Sequence, residues 1–177
     1  MLVRITTSIV ACLAAALSVA PGAANAGDGV GVFHDRVVKY DPAGDVQGDG
    51  SFPIDVRKVV YDHFRLGDSE RLVVTVNFAN TIRRGSELNW GTSTGPGGYS
   101  LAFRWTVGGG FRLERDNKVV LHPHARRTVD GRQATVTIPW RKLGSPRSLV
   151  GLRVWAILDD PYGGGFDAAY SDRAVLH

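Results

Sequence analysis

Apolar and polar residues alternate along most of this chain from residue 30 onward, and no segment shows the helical spacing of an amphipathic helix. The clearest case is 72–78, where Leu72, Val74, Val76 and Phe78 alternate with Val73, Thr75 and Asn77. Such a period places one side of a strand in a core and the other side towards solvent. The same reasoning predicts further strands at 37–40, 56–64, 99–107, 111–115, 118–121, 134–138 and 152–158.

The segments between these strands carry turn residues. Asp116-Asn117 predicts a hairpin, and Gly131 predicts a tight turn before the strand at 134–138. Residues 139–143 predict one helical turn, which Gly144 ends. About eight or nine short strands at this spacing predict an all-β fold, a single antiparallel jelly-roll-like β-sandwich. We expect the longest irregular loop at 85–98, where long loops of sandwiches often carry function.

Residues 1–26 have the parts of a secretory signal peptide. A short basic start precedes an apolar, alanine-rich run, and small residues occupy the two positions that the peptidase recognises. We expect cleavage after Ala26 and a secreted domain at 27–177. The apolar run is too short for a convincing membrane span, so no span is expected after cleavage. Because Cys12 is the sole cysteine, the mature domain has neither a disulfide nor a thiol nucleophile.

The formal net charge of +4 suggests anionic partners only if the basic residues cluster. They form local pairs, Arg83-Arg84 and Arg126-Arg127, but are otherwise scattered among acidic residues. We interpret them as a solvated surface and expect no specific nucleic-acid partner.

The segment 41–55 is the best candidate for a metal site. It carries Asp41, Asp45, Asp49 and Asp55, separated by glycines that let backbone carbonyls approach an ion. Calcium takes about six to eight oxygen ligands, which such a loop supplies. The alternative is that these aspartates only form turns and cap their own loop. The sequence leaves both interpretations open.

Three short motifs carry a resemblance to a known family. They are D-P-A-G-D at 41–45, I-D-V at 54–56 and V-V-Y-D-H at 59–63. Together with the strand at 72–78 and the strand-turn-strand pattern at 135–159, they resemble the family 9 carbohydrate-binding-module-like sandwiches. That group includes DOMON-like domains and glucodextranase C-terminal modules, and the likeness is to its small secreted actinobacterial members. The resemblance implies a calcium-supported sandwich that binds a ligand without transforming it.

The ligand-binding candidates come from the strand pattern. Trp155 alternates with core-type neighbours and stands beside Arg153, so it either stacks against a sugar or is covered by another layer. Trp90 and Tyr99 flank the loop expected at 91–98 and are predicted at an exposed binding rim. Trp105 is predicted in the core.

Catalytic signatures are weak, and we predict no enzyme. There is no nucleophile elbow, zinc-protease motif or phosphate-binding glycine loop. Asp159, Asp160 and Asp167 supply carboxylates for a glycoside hydrolase, the least favoured hypothesis. No haem is expected, because Met1 is the sole methionine and leaves with the signal peptide.

The sequence therefore favours a secreted, non-enzymatic binding module for a cell-surface or extracellular glycan. The alternative is a structural or protein-interaction component of the cell envelope.

Overall fold

The computed structural model describes residues 32–41, 55–66, 68–95, 97–158 and 165–177. The predicted signal peptide lies outside these residues, as do Asp45 and Asp49 of the predicted calcium loop and Asp159 and Asp160 of the hydrolase hypothesis.

Within the described residues, eleven strands form two antiparallel sheets, which confirms the predicted all-β sandwich. The five-stranded sheet has the order β1-β2-β3-β9-β8 and the six-stranded sheet the order β11-β10-β4-β5-β6-β7. The strands are β1 (Val32–Tyr40), β2 (Val56–Leu66), β3 (Ser69–Phe78), β4 (Glu87–Ser93), β5 (Ser100–Thr106), β6 (Phe111–Arg115), β7 (Lys118–Val119), β8 (Arg126–Asp130), β9 (Gln133–Pro139), β10 (Leu149–Leu158) and β11 (Gly165–Leu176).

The core lies between the two sheets and follows the period-two pattern. Leu72, Val74 and Val76 of β3 are buried, as are Leu101 and Phe103 of β5, while their chain neighbours point outward. Each such side chain that leaves water stabilises the fold by about 1.5–3 kcal/mol. The buried residues of both sheets form one hydrophobic cluster in the described part of the chain.

The predicted irregular loop at 85–98 is wrong at 87–93, because β4 occupies these residues and pairs with both β5 and β10. Its alternation was hidden because Gly91 and Thr92 interrupt the apolar pattern. The strand count also exceeds the predicted eight or nine. Besides β4, the strands β8 and β11 were not predicted. All five residues of β8 are exposed, so it gives little apolar signal.

The predicted turns are confirmed. Asp116 and Asn117 join β6 to β7 with φ values of 48° and 60°, the left-handed conformation that a two-residue hairpin needs. A 3-10 turn, Trp140–Leu143, follows β9 and ends at Gly144, which has a φ of 89°. Trp105 is 5% exposed and Trp140 is 3% exposed, so both belong to the core.

Tyr61 gives a pH test of this core. It is 1% exposed, and burial raises the pKa of its phenol far above the ordinary value of about 10. The unfolded chain ionises this phenol at about pH 10, whereas the folded chain keeps it neutral. Its contribution to stability is therefore complete below about pH 10 and declines as the pH rises further, by up to about 1.4 kcal/mol per pH unit.

We expect the free energy of unfolding to fall less steeply with pH for Tyr61→Phe than for the wild type. Urea unfolding between pH 9 and pH 11, a range around the ordinary tyrosine pKa of about 10, measures this. Tyr40→Phe is the control, because Tyr40 is 67% exposed. Equal slopes for the wild type and Tyr61→Phe would contradict the buried, neutral phenol.

Candidate functional site

Trp155 lies on the outer face of the six-stranded sheet. Its neighbours Val154 and Ala156 point into the core, and across the ladder Trp155 faces Asn89 of β4 and Ala168 of β11. The side chain is half-buried, between the full exposure of a free surface residue and the burial of the core tryptophans. It is not covered as a core residue would be.

The position of the Trp155 indole depends on Gly91, which has no side chain. A Cβ atom built on Gly91 would be 3.3 Å from Cζ3 and 3.4 Å from Cη2 of Trp155. The six-membered ring therefore occupies the space above the Gly91 backbone, which a side chain at that position would take. The ring therefore rests against β4 at Gly91.

Polar groups and small residues surround this ring. Arg153 is exposed on β10 and lies opposite Gly91, which in turn lies opposite Ala102 of β5. In the neighbouring row of the ladder, Asn89 stands between Trp155 and Arg104 and is only 3% exposed. Gly91 and Ala102 make a shallow floor, and the two arginines carry hydrogen-bond donors at its edges.

The prediction that Trp90 is exposed at a binding rim is wrong. Trp90 is 0% exposed and stacks on Phe103, with ring centroids 5.4 Å apart. Its Nε1 has no hydrogen-bond partner among the described residues. The cause is the alternation of β4, which directs Leu88, Trp90 and Thr92 into the core.

Tyr99 is half-buried and is not brought to Trp155. It precedes β5 on the side of Leu101, which points inward, and its hydroxyl donates to the carbonyl of Leu143 at 2.8 Å. Burial raises the pKa of its phenol, although the Arg115 guanidinium, 5.4 Å from the ring centroid, acts in the opposite direction. Tyr99 therefore anchors the 3-10 turn and does not form a rim with Trp155.

Sequence reasoning missed Gly91, Asn89 and Arg104 as members of this face. The outward position of Arg104 follows from the alternation of β5 and was available as a signal. The register of β4 against β10 was not, because these strands are about 60 residues apart and their pairing depends on the whole sheet.

The described part of the predicted calcium loop consists of its two ends. Asp41 follows β1 and its backbone N–H donates to the carbonyl of Arg57 at 3.1 Å, which brings it close to the start of β2. Asp55 is 7% exposed and lies 3.4 Å from the Arg57 guanidinium. In the described ranges, no three His, Asp or Glu side chains form a group that could hold a metal.

Asp167, a candidate of the hydrolase hypothesis, acts structurally. It is 3% exposed, and its carboxylate accepts from the backbone N–H of Val56 at 2.5 Å and of Ala168 at 2.7 Å. Because Val56 belongs to the five-stranded sheet and Asp167 to the six-stranded sheet, this carboxylate ties the two sheets together.

Comparisons with family models, curated proteins and solved structures gave no match to the chain. No helix in the described ranges is long and apolar enough to cross a bilayer.

Replacement of Asp167 tests the tie between the sheets. Asp167→Ala leaves the buried N–H of Val56 without its acceptor, and we expect a loss of about 2–3 kcal/mol in the free energy of unfolding. Asp35→Ala is the matched control. The Asp35 carboxylate also accepts from the backbone N–H of the next residue, Arg36, and from that of the distant residue His177, both at 2.8 Å. Unlike those of Asp167, these two hydrogen bonds lie at the surface.

We expect the control to lose less than about 1 kcal/mol in urea unfolding, since water replaces the carboxylate at a surface position. Equal losses in the two variants would show that Asp167 is an ordinary surface acceptor.

Proposed function

We propose that this protein is a secreted, non-enzymatic binding module whose ligand is a cell-surface or extracellular glycan. The position of Trp155 across Gly91, on the outer face of the six-stranded sheet, carries the proposal. A flat indole on a shallow floor suits the apolar face of a sugar ring, whose C–H groups are attracted to the negative face of the aromatic ring.

Arginine donors at the edge of the floor add directional contacts. Arg153 lies one row from Trp155 on the same strand and the same face. Arg104 lies across Asn89 from Trp155. Guanidinium groups donate hydrogen bonds to sugar hydroxyls, which fixes the orientation of a ring that stacking alone leaves free to rotate.

The second candidate function is a protein-interaction component of the cell envelope. The strand β8 favours it, because all five of its residues are exposed and it is an edge of the five-stranded sheet. An exposed edge offers backbone hydrogen-bond groups to a strand of another protein.

We also propose a stabilising calcium ion in the loop between β1 and β2. Asp41 and Asp55 stand at the two ends of that loop, near Arg57, and carboxylate oxygens are the ligands that calcium prefers. Arg57 already contacts Asp55, so Asp41 is the sharper position for a test.

The glycan proposal predicts that Trp155→Ala weakens retention on the polysaccharide that the wild type binds by about tenfold, because the stacking surface is lost. Affinity electrophoresis and pull-down against cellulose, chitin, xylan and a soluble β-glucan measure this. Trp155→Phe keeps an aromatic face and should retain most of the binding. Tyr40→Ala is the matched control, since it removes an aromatic side chain that is 67% exposed on the other sheet.

Unchanged retention by Trp155→Ala, with the wild-type melting temperature, would refute the glycan site. The interaction function would be supported instead if the protein captures a cell-envelope protein in the presence of excess glycan. This capture should disappear with Val129→Lys, which places a charge on the β8 edge.

For calcium, we expect a rise in the melting temperature of about 5–10 °C at an ion concentration near 100 times the dissociation constant. Asp41→Asn should abolish the rise, whereas Asp116→Asn, an exposed aspartate of the β6–β7 turn, should preserve it. Identical melting temperatures of the wild type in calcium and in chelator would contradict the calcium site and would show that these aspartates only form turns.

A further inference from the structure

A groove of about 580 Å³ lies where the hairpin between β2 and β3 turns, at one end of the five-stranded sheet. The hairpin forms one wall, the start of β8 forms another, and the 3-10 turn after β9 closes the end. Arg71 and Arg126 belong to the outer face of the sheet, because they pair with Pro139 and Thr137, which alternate with the core residue Ile138. This groove is therefore separate from the Trp155 face on the other sheet.

The groove carries an excess of positive charge. Arg65, Arg71, Arg126 and Arg141 line it, against Asp68 and Glu70. Glu70 is paired with Arg65, at 3.0 Å between Oε1 and Nη2. None of the other three arginines forms an ion pair with a carboxylate in the described part of the chain. These three guanidinium groups are thus free to pair with anionic groups of a ligand.

The arginines that line the groove come from separate elements of the fold. Arg71 is on β3 and Arg126 is on β8, with β9 between them. Two strand spacings, combined with the two-residue offset between Pro139 and Thr137 along β9, place their backbones about 12 Å apart. Arg141 comes from a third element, the 3-10 turn. Such a row of separated cations matches a chain with repeated anionic groups.

The remaining lining identifies the type of chain. Ser69, Thr137 and Ser145 bring hydroxyl groups to the groove, and these can exchange hydrogen bonds with sugar hydroxyls. Trp140 is 3% exposed and stacks on His63 with ring centroids 3.7 Å apart, so it offers no free face to a base. Stacking platforms are what single-stranded nucleic acids need.

We propose that this groove binds a linear acidic polysaccharide through its carboxylate groups. The guanidinium forks of Arg71, Arg126 and Arg141 pair with successive carboxylates, which they match in geometry. The hydroxyl groups of the lining contact the sugar rings between them. Screening by salt weakens the contact, since the arginines are at or near the surface.

Binding to polygalacturonate, measured by isothermal calorimetry in 50 mM salt, where screening is weaker than at about 150 mM, tests the proposal on the mature chain. The double variant Arg126→Gln/Arg141→Gln should bind about tenfold more weakly, because two charge-assisted contacts are lost. The matched control is Lys118→Gln/Arg132→Gln, which removes two exposed charges, one at the start of β7 and one in the turn that follows β8. It should change the affinity less than about threefold.

Equal weakening by the two double variants would overturn the proposal, because it would show attraction by net charge alone. Absence of binding by the wild type would overturn it too, as would single-stranded DNA that competes more strongly than polygalacturonate. Thermal melts confirm that both variants fold. Trp155→Ala should bind polygalacturonate like the wild type, which separates this site from the neutral-glycan site.

Discussion

The burial of two sheet faces against each other is the constraint on which the rest of this structure depends. The sole cysteine is Cys12, so no disulfide joins the domain that follows the predicted signal peptide. Cohesion must come from alternating apolar residues and from a few polar ties such as Asp167 to Val56. Every second residue of a strand points into that core, so the alternate residues form the outer faces of the sheets. A ligand can bind on these outer faces.

The two outer faces differ in character, and this difference separates the two proposed sites. The six-stranded sheet presents an aromatic ring over glycine, which suits the apolar face of a neutral sugar. The five-stranded sheet presents arginines around a hydroxyl-lined groove at one end.

The local sequence pattern predicted which side chains of a strand point into the core and which point outward. It predicted little of how strands that are distant in sequence pair with each other. The outward position of Trp155 and the inward position of Trp105 both follow from their neighbours in sequence. Trp90 was misplaced because Gly91 interrupts the pattern that would have revealed β4. The contact of Trp155 with Gly91, and the gathering of Arg71, Arg126 and Arg141, depend on strand pairing that no local pattern contains.

Acrylamide quenching of tryptophan fluorescence tests the central claim, that one face of Trp155 is open to a ligand. The chain has four tryptophans, and the other three, Trp90, Trp105 and Trp140, are 0%, 5% and 3% exposed. We expect the quenchable fraction of the emission to disappear in Trp155→Phe, while the remaining emission resists acrylamide. Unchanged quenching in that variant would show that Trp155 is covered, and the outer face of the six-stranded sheet would lose its place as the glycan site.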